Sequence, residues 1–298
     1  MLGKETERIL RCNNFSNIIT LSKSELDLKI QKDVDNFFQN EKPDIVIHLA
    51  AKVGGINANL TYPGDFIYDN LVMQNNVINA SRINGVENFI FIGSSCIYPS
   101  NSPQPMSEDY LMDGKLEPTN EGYAISKIAG IKLLEAFKKQ YSFNSTCLMP
   151  SNLYGPNDSF DPQHSHVLSA LVKKVVDAKI SGLKVINIWG TGIAKREFLH
   201  VTDLANAIVF FLRNGISNLP YLNIGTGKEI SIKDLLDIII KEVGYEGEIF
   251  WDETKPNGML RKCLDITKMK GFGFEPKINL KDGIKQVITE YKTQNNFV

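Results

Sequence analysis

Apolar and polar positions follow two different rhythms along this chain. Residues 88–92 (NFIFI) and 44–50 (DIVIHLA) are continuous apolar runs too short for helices, and such runs predict strands buried on both faces. Residues 146–150 read as a third strand and 17–21 (NIITL) as a short fourth. Between them the period changes. Val34, Phe37 and Phe38 within 30–40, Ile67, Leu71 and Ile78 within 63–82, and Ile128, Ile131, Leu134 and Phe137 within 121–141 recur at helical spacing, which marks one face of a helix. Pro63 suits a first helical turn. Strands of this kind alternating with helices predict an α/β fold, a doubly wound parallel sheet.

The texture changes beyond Tyr154-Gly155-Pro156. Residues 157–166 are polar and loop-like, and 167–178 are helical. Residues 184–189 read as a strand closed by a turn at Gly190 and Gly192, and 203–213 and 232–243 as two more helices. The expected organisation is a dinucleotide-binding domain over 1–156 and a smaller, mainly substrate-binding domain over 157–298, with some segments returning to the sheet.

Composition removes several function classes. Lys plus Arg number 33 against 34 for Asp plus Glu, so no global charge favours nucleic acid or an anionic membrane. No apolar run approaches the roughly 18 residues of a membrane span, and the first twelve residues lack a signal-peptide core. The cysteines (Cys12, Cys96, Cys147 and Cys263) are scattered without a Cys-x-x-Cys pair. That argues against a disulfide framework or zinc ribbon and for a reducing, cytoplasmic setting.

The strongest chemical signal is Tyr123-Ala124-Ile125-Ser126-Lys127. At i and i+4 on a helix, Tyr123 and Lys127 project from one face. A neighbouring ammonium lowers a phenol's pKa, making it a proton donor and acceptor for carbonyl chemistry. The same spacing also describes a buried tyrosine beside a snorkelling lysine. Upstream, the strand at 88–92 ends in Gly93-Ser94-Ser95-Cys96-Ile97-Tyr98-Pro99, and ligands of doubly wound sheets bind at the carboxyl ends of strands.

Strand, serine, then a helix bearing Tyr-x-x-x-Lys resembles the active-site order of the extended short-chain dehydrogenase/reductases. Ala50-Ala51-Lys52-Val53-Gly54-Gly55-Ile56, Glu117-Pro118-Thr119-Asn120-Glu121, Asn152-Leu153-Tyr154-Gly155-Pro156 and Arg196-Glu197-Phe198-Leu199-His200-Val201 narrow the resemblance to the GDP-L-fucose synthase family. That family performs 3,5-epimerisation and 4-keto reduction of GDP-4-dehydro-6-deoxy-D-mannose with NADPH.

The resemblance implies a role for each matching residue. Ser94 would orient the substrate carbonyl and Tyr123 protonate its oxygen, while Lys127 would tune Tyr123 and hold the nicotinamide ribose. Cys96 and His166 would be the proton-transfer pair for epimerisation. Gly3, Lys23, Ala50, Gly93, Ser94, Ser95, Lys127, Pro150, Asn152, Leu153 and His166 would contact NADP(H), with Lys23 near the 2′-phosphate. Lys174, Trp189, Arg196 and Asn257 would contact the GDP-sugar, although Lys174 also reads as a solvated helix face and Trp189 as a core aromatic. Asn257 stands where the family usually has Asp, which removes a charge from any ribose contact. His164 and His166 lack a matched carboxylate motif, so no metal is expected. His48 and His200, inside apolar runs, read as structural. The family also implies a homodimer built on the helices at 63–82 and 121–141.

One departure stands out. Dinucleotide folds open on a strand and G-x-x-G-x-x-G, and here Gly3 aligns only with the end of that motif. About a dozen residues of strand and turn are missing relative to the pattern. A chain extended upstream by a Gly-rich strand is therefore expected to bind NADPH far more tightly; equal affinity would refute this. Two alternatives stay open: another nucleotide-sugar epimerase that retains bound NAD, and a non-catalytic nucleotide-sugar-binding relative.

Overall fold

The computed structural model describes residues 1–161, 165–216, 219–255 and 257–297. The helices are α1 (Leu2–Cys12), α2 (Gln31–Glu41), α3 (Ile56–Thr61), α4 (Pro63–Ile83), α5 (Glu121–Tyr141), α6 (Val167–Ser181), α7 (Val201–Asn214), α8 (Ile232–Val243), α9 (Thr267–Gly271) and α10 (Leu280–Gln294). The strands are β1 (Ile45–His48), β2 (Asn88–Ile92), β3 (Ser145–Pro150), β4 (Asn152–Tyr154), β5 (Val185–Trp189), β6 (Lys195–His200), β7 (Leu222–Ile224), β8 (Glu229–Ser231), β9 (Glu248–Asp252) and β10 (Arg261–Lys262).

The main sheet is parallel, in the order β1-β2-β3-β7. Helices cover both faces because strand side chains alternate. Phe91 meets α5 at Gly130, whereas Ile47 packs with Ile9 and Leu10 of α1 and Val209 of α7. This is the expected Rossmann-like arrangement. The chain leaves β3 through the single residue Ser151 and enters a second sheet, β10-β6-β4, in which β8 also pairs with β6. Beside it β5 pairs with β9. A second apolar core joins α6, α8 and α10 through Leu171, Val175, Leu235, Ile239, Ile284 and Val287.

β2, α5 and α8 occupy the residues that periodicity predicts, and α2, α4, β3, α6, β5 and α7 differ from it by one to three residues at an end. The turn at Gly190 and Gly192 holds both in the left-handed region, φ +79° and +76°, which suits glycine. Two expectations change. Residues 17–21 form no strand, and Ile19 and Leu21 are exposed; a strand needs a ladder partner, and residues 17–21 pair with none among the described residues. The run at 44–50 contributes only the short β1, in which His48 alone is fully buried. It pairs with β2 on one side and is a sheet edge among the described residues.

Candidate active site

The site begins where β2 ends. The Gly93 N–H donates to Leu148 O of β3 at 2.9 Å, and a Cβ at Gly93 would run into the Met149 thioether, so the strand exit is tightly seated. Ser94 then caps a single helical turn, Ser95–Ile97, its Oγ accepting from the Cys96 N–H at 3.2 Å. This turn presents the Cys96 thiol to two donors. Asn120 Nδ2 lies 3.3 Å from Sγ and Lys262 Nζ 3.1 Å from it. Asn120 immediately precedes α5, so the start of that helix reaches the same point.

Gly130 lets α5 lie close on the sheet: a Cβ there would stand 2.6 Å from Phe91 Cζ. Tyr123 and Lys127, one turn apart, are thereby held at the carboxyl end of β2. Lys127 Nζ donates to Ile92 O at 2.8 Å, 4.8 Å from the Phe91 ring centroid and 5.9 Å from that of Tyr123.

The electrostatics follow from this burial. Lys127 is pushed down to about 8 by desolvation. Burial, then the neighbouring Cys96, pushes Tyr123 above the usual phenol range, and the Ser94 hydroxyl offsets only part. The sequence expectation that Lys127 lowers Tyr123 is therefore not met in the free protein, because desolvation dominates and Ile92 O engages the ammonium. Burial raises the Cys96 thiol, but the Lys262 charge, hydrogen bonds from Ser94 and Lys262, and the Arg196 charge together hold it below the ordinary value. His48 is pushed down to about 3 by burial and by Lys127 and stacks on Phe91. His200 caps α7, its Nδ1 accepting from the Thr202 N–H at 3.2 Å.

His166 precedes α6. Its Nδ1 lies 3.2 Å from Asp158 Oδ1, and Asp158 Oδ2 accepts from Ser169 Oγ at 2.5 Å. Burial would raise the Asp158 carboxyl, but His166 and Ser169 bring it below the usual range. A carboxylate on Nδ1 fixes the orientation of the ring. The neighbouring Ser165 carbonyl sits over Gly55, 3.3 Å from where a Cβ would be, which docks this loop on the Gly54-Gly55 segment. His164 lies outside the described residues.

On the cofactor side, a cavity of about 450 Å³ at the end of β1 is lined by residues including Lys23, Leu28, Ala50, Lys52 and Met73. The cavity also holds Lys29, Asp27 and Asp69, and Lys29 and Lys52 both pair with Asp69, at 3.1 and 3.2 Å; Gly93 and Ser95 directly follow β2, and Pro150 is the last residue of β3. Gly3 lies on α1 and is not among the cavity's lining residues. Asn152 and Leu153 stand on β4, where Asn152 Nδ2 donates to Glu197 O of β6 at 2.9 Å.

On the substrate side, the Arg196 guanidinium reaches Asn257 O at 3.4 Å; burial lowers its pKa, while Cys96 and Glu117 favour its charged form. Trp189 is 59% exposed, with Lys255 Nζ 5.6 Å from its ring centroid, so it is not a core aromatic. The exposed Lys174 donates to Asn187 O at 3.1 Å. Asn257 Oδ1 accepts from Thr191 N and Oγ1 at 2.9 and 3.1 Å, a clamp on the Gly190–Gly192 turn. Lys262, Asn120 and Asp158 were not singled out as functional by sequence reasoning. Lys262 lies 166 residues from the thiol it meets, and no local spacing signals such a contact.

Residues 4–225 match the model of the NAD dependent epimerase/dehydratase family. The chain belongs to that family. Within it, the chain is 48% identical to GDP-L-fucose synthase 1 of Arabidopsis thaliana, over 98% of this chain and 90% of the relative. It is 42% identical to the GDP-L-fucose synthase of Escherichia coli (strain K12), over 95% and 91%. Among solved structures of the family's fold, a GDP-mannoheptose C4 reductase from Campylobacter jejuni with NADP bound superposes with a TM-score of 0.88 at 35% identity, covering 98% of this chain and 95% of that one.

Proposed function

We propose that this chain is an NADPH-dependent GDP-L-fucose synthase, which epimerises both carbons flanking the keto group of GDP-4-dehydro-6-deoxy-D-mannose and then reduces that group. The observation that carries the reading is that Ser94, Tyr123 and Lys127, a carbonyl-reducing set, share the end of β2 with a Cys96 thiol held beside a cation. A simple reductase needs no such thiol.

Cys96 as thiolate removes a proton from a carbon beside the keto group. The C–H bond breaks, an S–H bond forms, and the electron pair moves to the carbonyl oxygen. His166, steadied by Asp158, returns a proton to the opposite face. The hydride for the final reduction would come from NADPH, the cofactor the family resemblance implies. Tyr123, which holds its proton firmly, gives it to the resulting oxyanion, and Ser94 keeps that oxygen in place. Arg196 and Lys174 supply cations for the pyrophosphate, Trp189 a surface for sugar or base. Residues 1–156 act mainly on the dinucleotide and 157–298 mainly on the sugar nucleotide. Ile83, Tyr68, Ile125 and Tyr141 are exposed on α4 and α5, apolar area suited to a two-fold dimer in the cytoplasm. None of the described helices is long and apolar enough to cross a membrane.

The test is NADPH oxidation with this substrate in deuterated water. Oxidation with deuterium at both flanking carbons is expected. Oxidation without deuterium would make the protein a plain ketoreductase, and binding without oxidation a non-catalytic relative.

A further inference from the structure

We propose that Lys262 is a further catalytic residue, the cation that holds Cys96 as a thiolate for proton abstraction. This deepens, and rests on, the epimerase reading above.

The geometry is specific. Lys262 Nζ lies 3.1 Å from Cys96 Sγ, hydrogen-bonding distance to sulfur. The groups facing that sulfur come from several elements: Ser94 from the turn after β2, Asn120 and Tyr123 from the start of α5, Arg196 from β6 and Lys262 from β10. Of the two cations, Lys262 hydrogen-bonds the sulfur, whereas Arg196 turns its guanidinium to Lys195 O and Asn257 O. A thiolate beside an ammonium is the nucleophilic and basic form of cysteine. In the step, Lys262 keeps its protons: Cys96 gains the carbon's proton, and the ammonium's partner changes from thiolate to thiol.

The fold holds Lys262 in place from below. β10 pairs in parallel with β6 so that Lys262 lies opposite Arg196. The adjoining chain is pinned by Glu197, whose fully buried carboxylate accepts from the N–H groups of Leu264 at 2.7 Å, Gly227 at 2.8 Å and Thr226 at 2.5 Å. Burial raises that carboxyl's pKa, and these donors offset only part of the rise. Glu197 is thus a positioning residue that binds the Lys262 segment to the Arg196 strand.

The test reads the thiol without needing turnover. Iodoacetamide alkylation of Cys96 is followed across pH by peptide mass spectrometry in the intact protein, with exposed Cys12 as the internal reference. In Lys262→Met, Cys96 alkylation at neutral pH is expected to slow about tenfold, the equivalent of one pKa unit, with its midpoint moved upward and Cys12 unchanged. Lys262→Arg is expected to restore most of the rate, and deuterium incorporation into the substrate to fall in parallel in the Met variant. An unchanged Cys96 midpoint in Lys262→Met overturns the proposal, including when the substrate KM rises, since that would make Lys262 a phosphate contact only. If the unsubstituted protein incorporates no deuterium, the epimerase reading fails, and the alkylation midpoints still decide whether Lys262 holds the thiolate.

Discussion

Tyr123→Phe is expected to abolish most NADPH oxidation, by about 10²–10⁴-fold, the usual worth of a positioned general acid. The substitution removes one oxygen and leaves the ring against its neighbours, so folding is expected to survive. Deuterium incorporation should persist, because the proton pair for epimerisation is Cys96 and His166, on different segments. The variant therefore separates the two chemistries within one site. Lys127 adds a pH signature. Its pKa is depressed to about 8 by burial, so the ammonium prevails below that value and is lost above it. Reduction should weaken as pH rises through about 8, and Lys127→Met should lack that limb. Undiminished oxidation by Tyr123→Phe would remove the phenol from the reaction.

The parts of this site that sequence revealed are those written locally. Tyr123 and Lys127 lie a helical turn apart, and Ser94 follows directly on an apolar run, so spacing brings these to notice, while the family resemblance singled out Cys96. The strand and helix periods behave the same way, since burial of one face is a property of a continuous segment. What stayed hidden depends on distant chain. The Cys96–Lys262 contact requires β10 to be set beside β6, and β6 beside β4, before Lys262 can reach the turn after β2. Asp158 steadies His166 through a loop with no periodic signal. Residues 17–21 carry a β-like composition yet form no strand, because pairing is a property of the neighbour as much as of the segment. The lowering of Tyr123 by Lys127 also failed as a local argument: proximity in sequence says nothing of the desolvation that both groups undergo.

Cys96→Ser should carry the second large loss, on the epimerase half. The serine hydroxyl is nearly the size of the thiol and can keep the donors from Asn120 and Lys262, so the thermal midpoint is expected to stay close to that of the unsubstituted protein. Its chemistry differs. An alcohol does not ionise near neutrality even beside an ammonium, whereas a thiol so placed does. Deuterium incorporation at the flanking carbons should fall by about 10²–10⁴-fold, while Tyr123, Lys127 and Ser94 remain able to reduce a keto group. His166→Gln is the complementary case, because it leaves the thiolate and removes the group that returns the proton. If one base opens both carbons and one acid closes them, Cys96→Ser should stall both exchanges together, whereas in His166→Gln the thiol can return deuterium to the face it came from, so exchange persists and inversion at both carbons is lost. Loss at one carbon only in Cys96→Ser would mean that the two epimerisations use different bases, and Cys96 would then serve one face of the sugar alone.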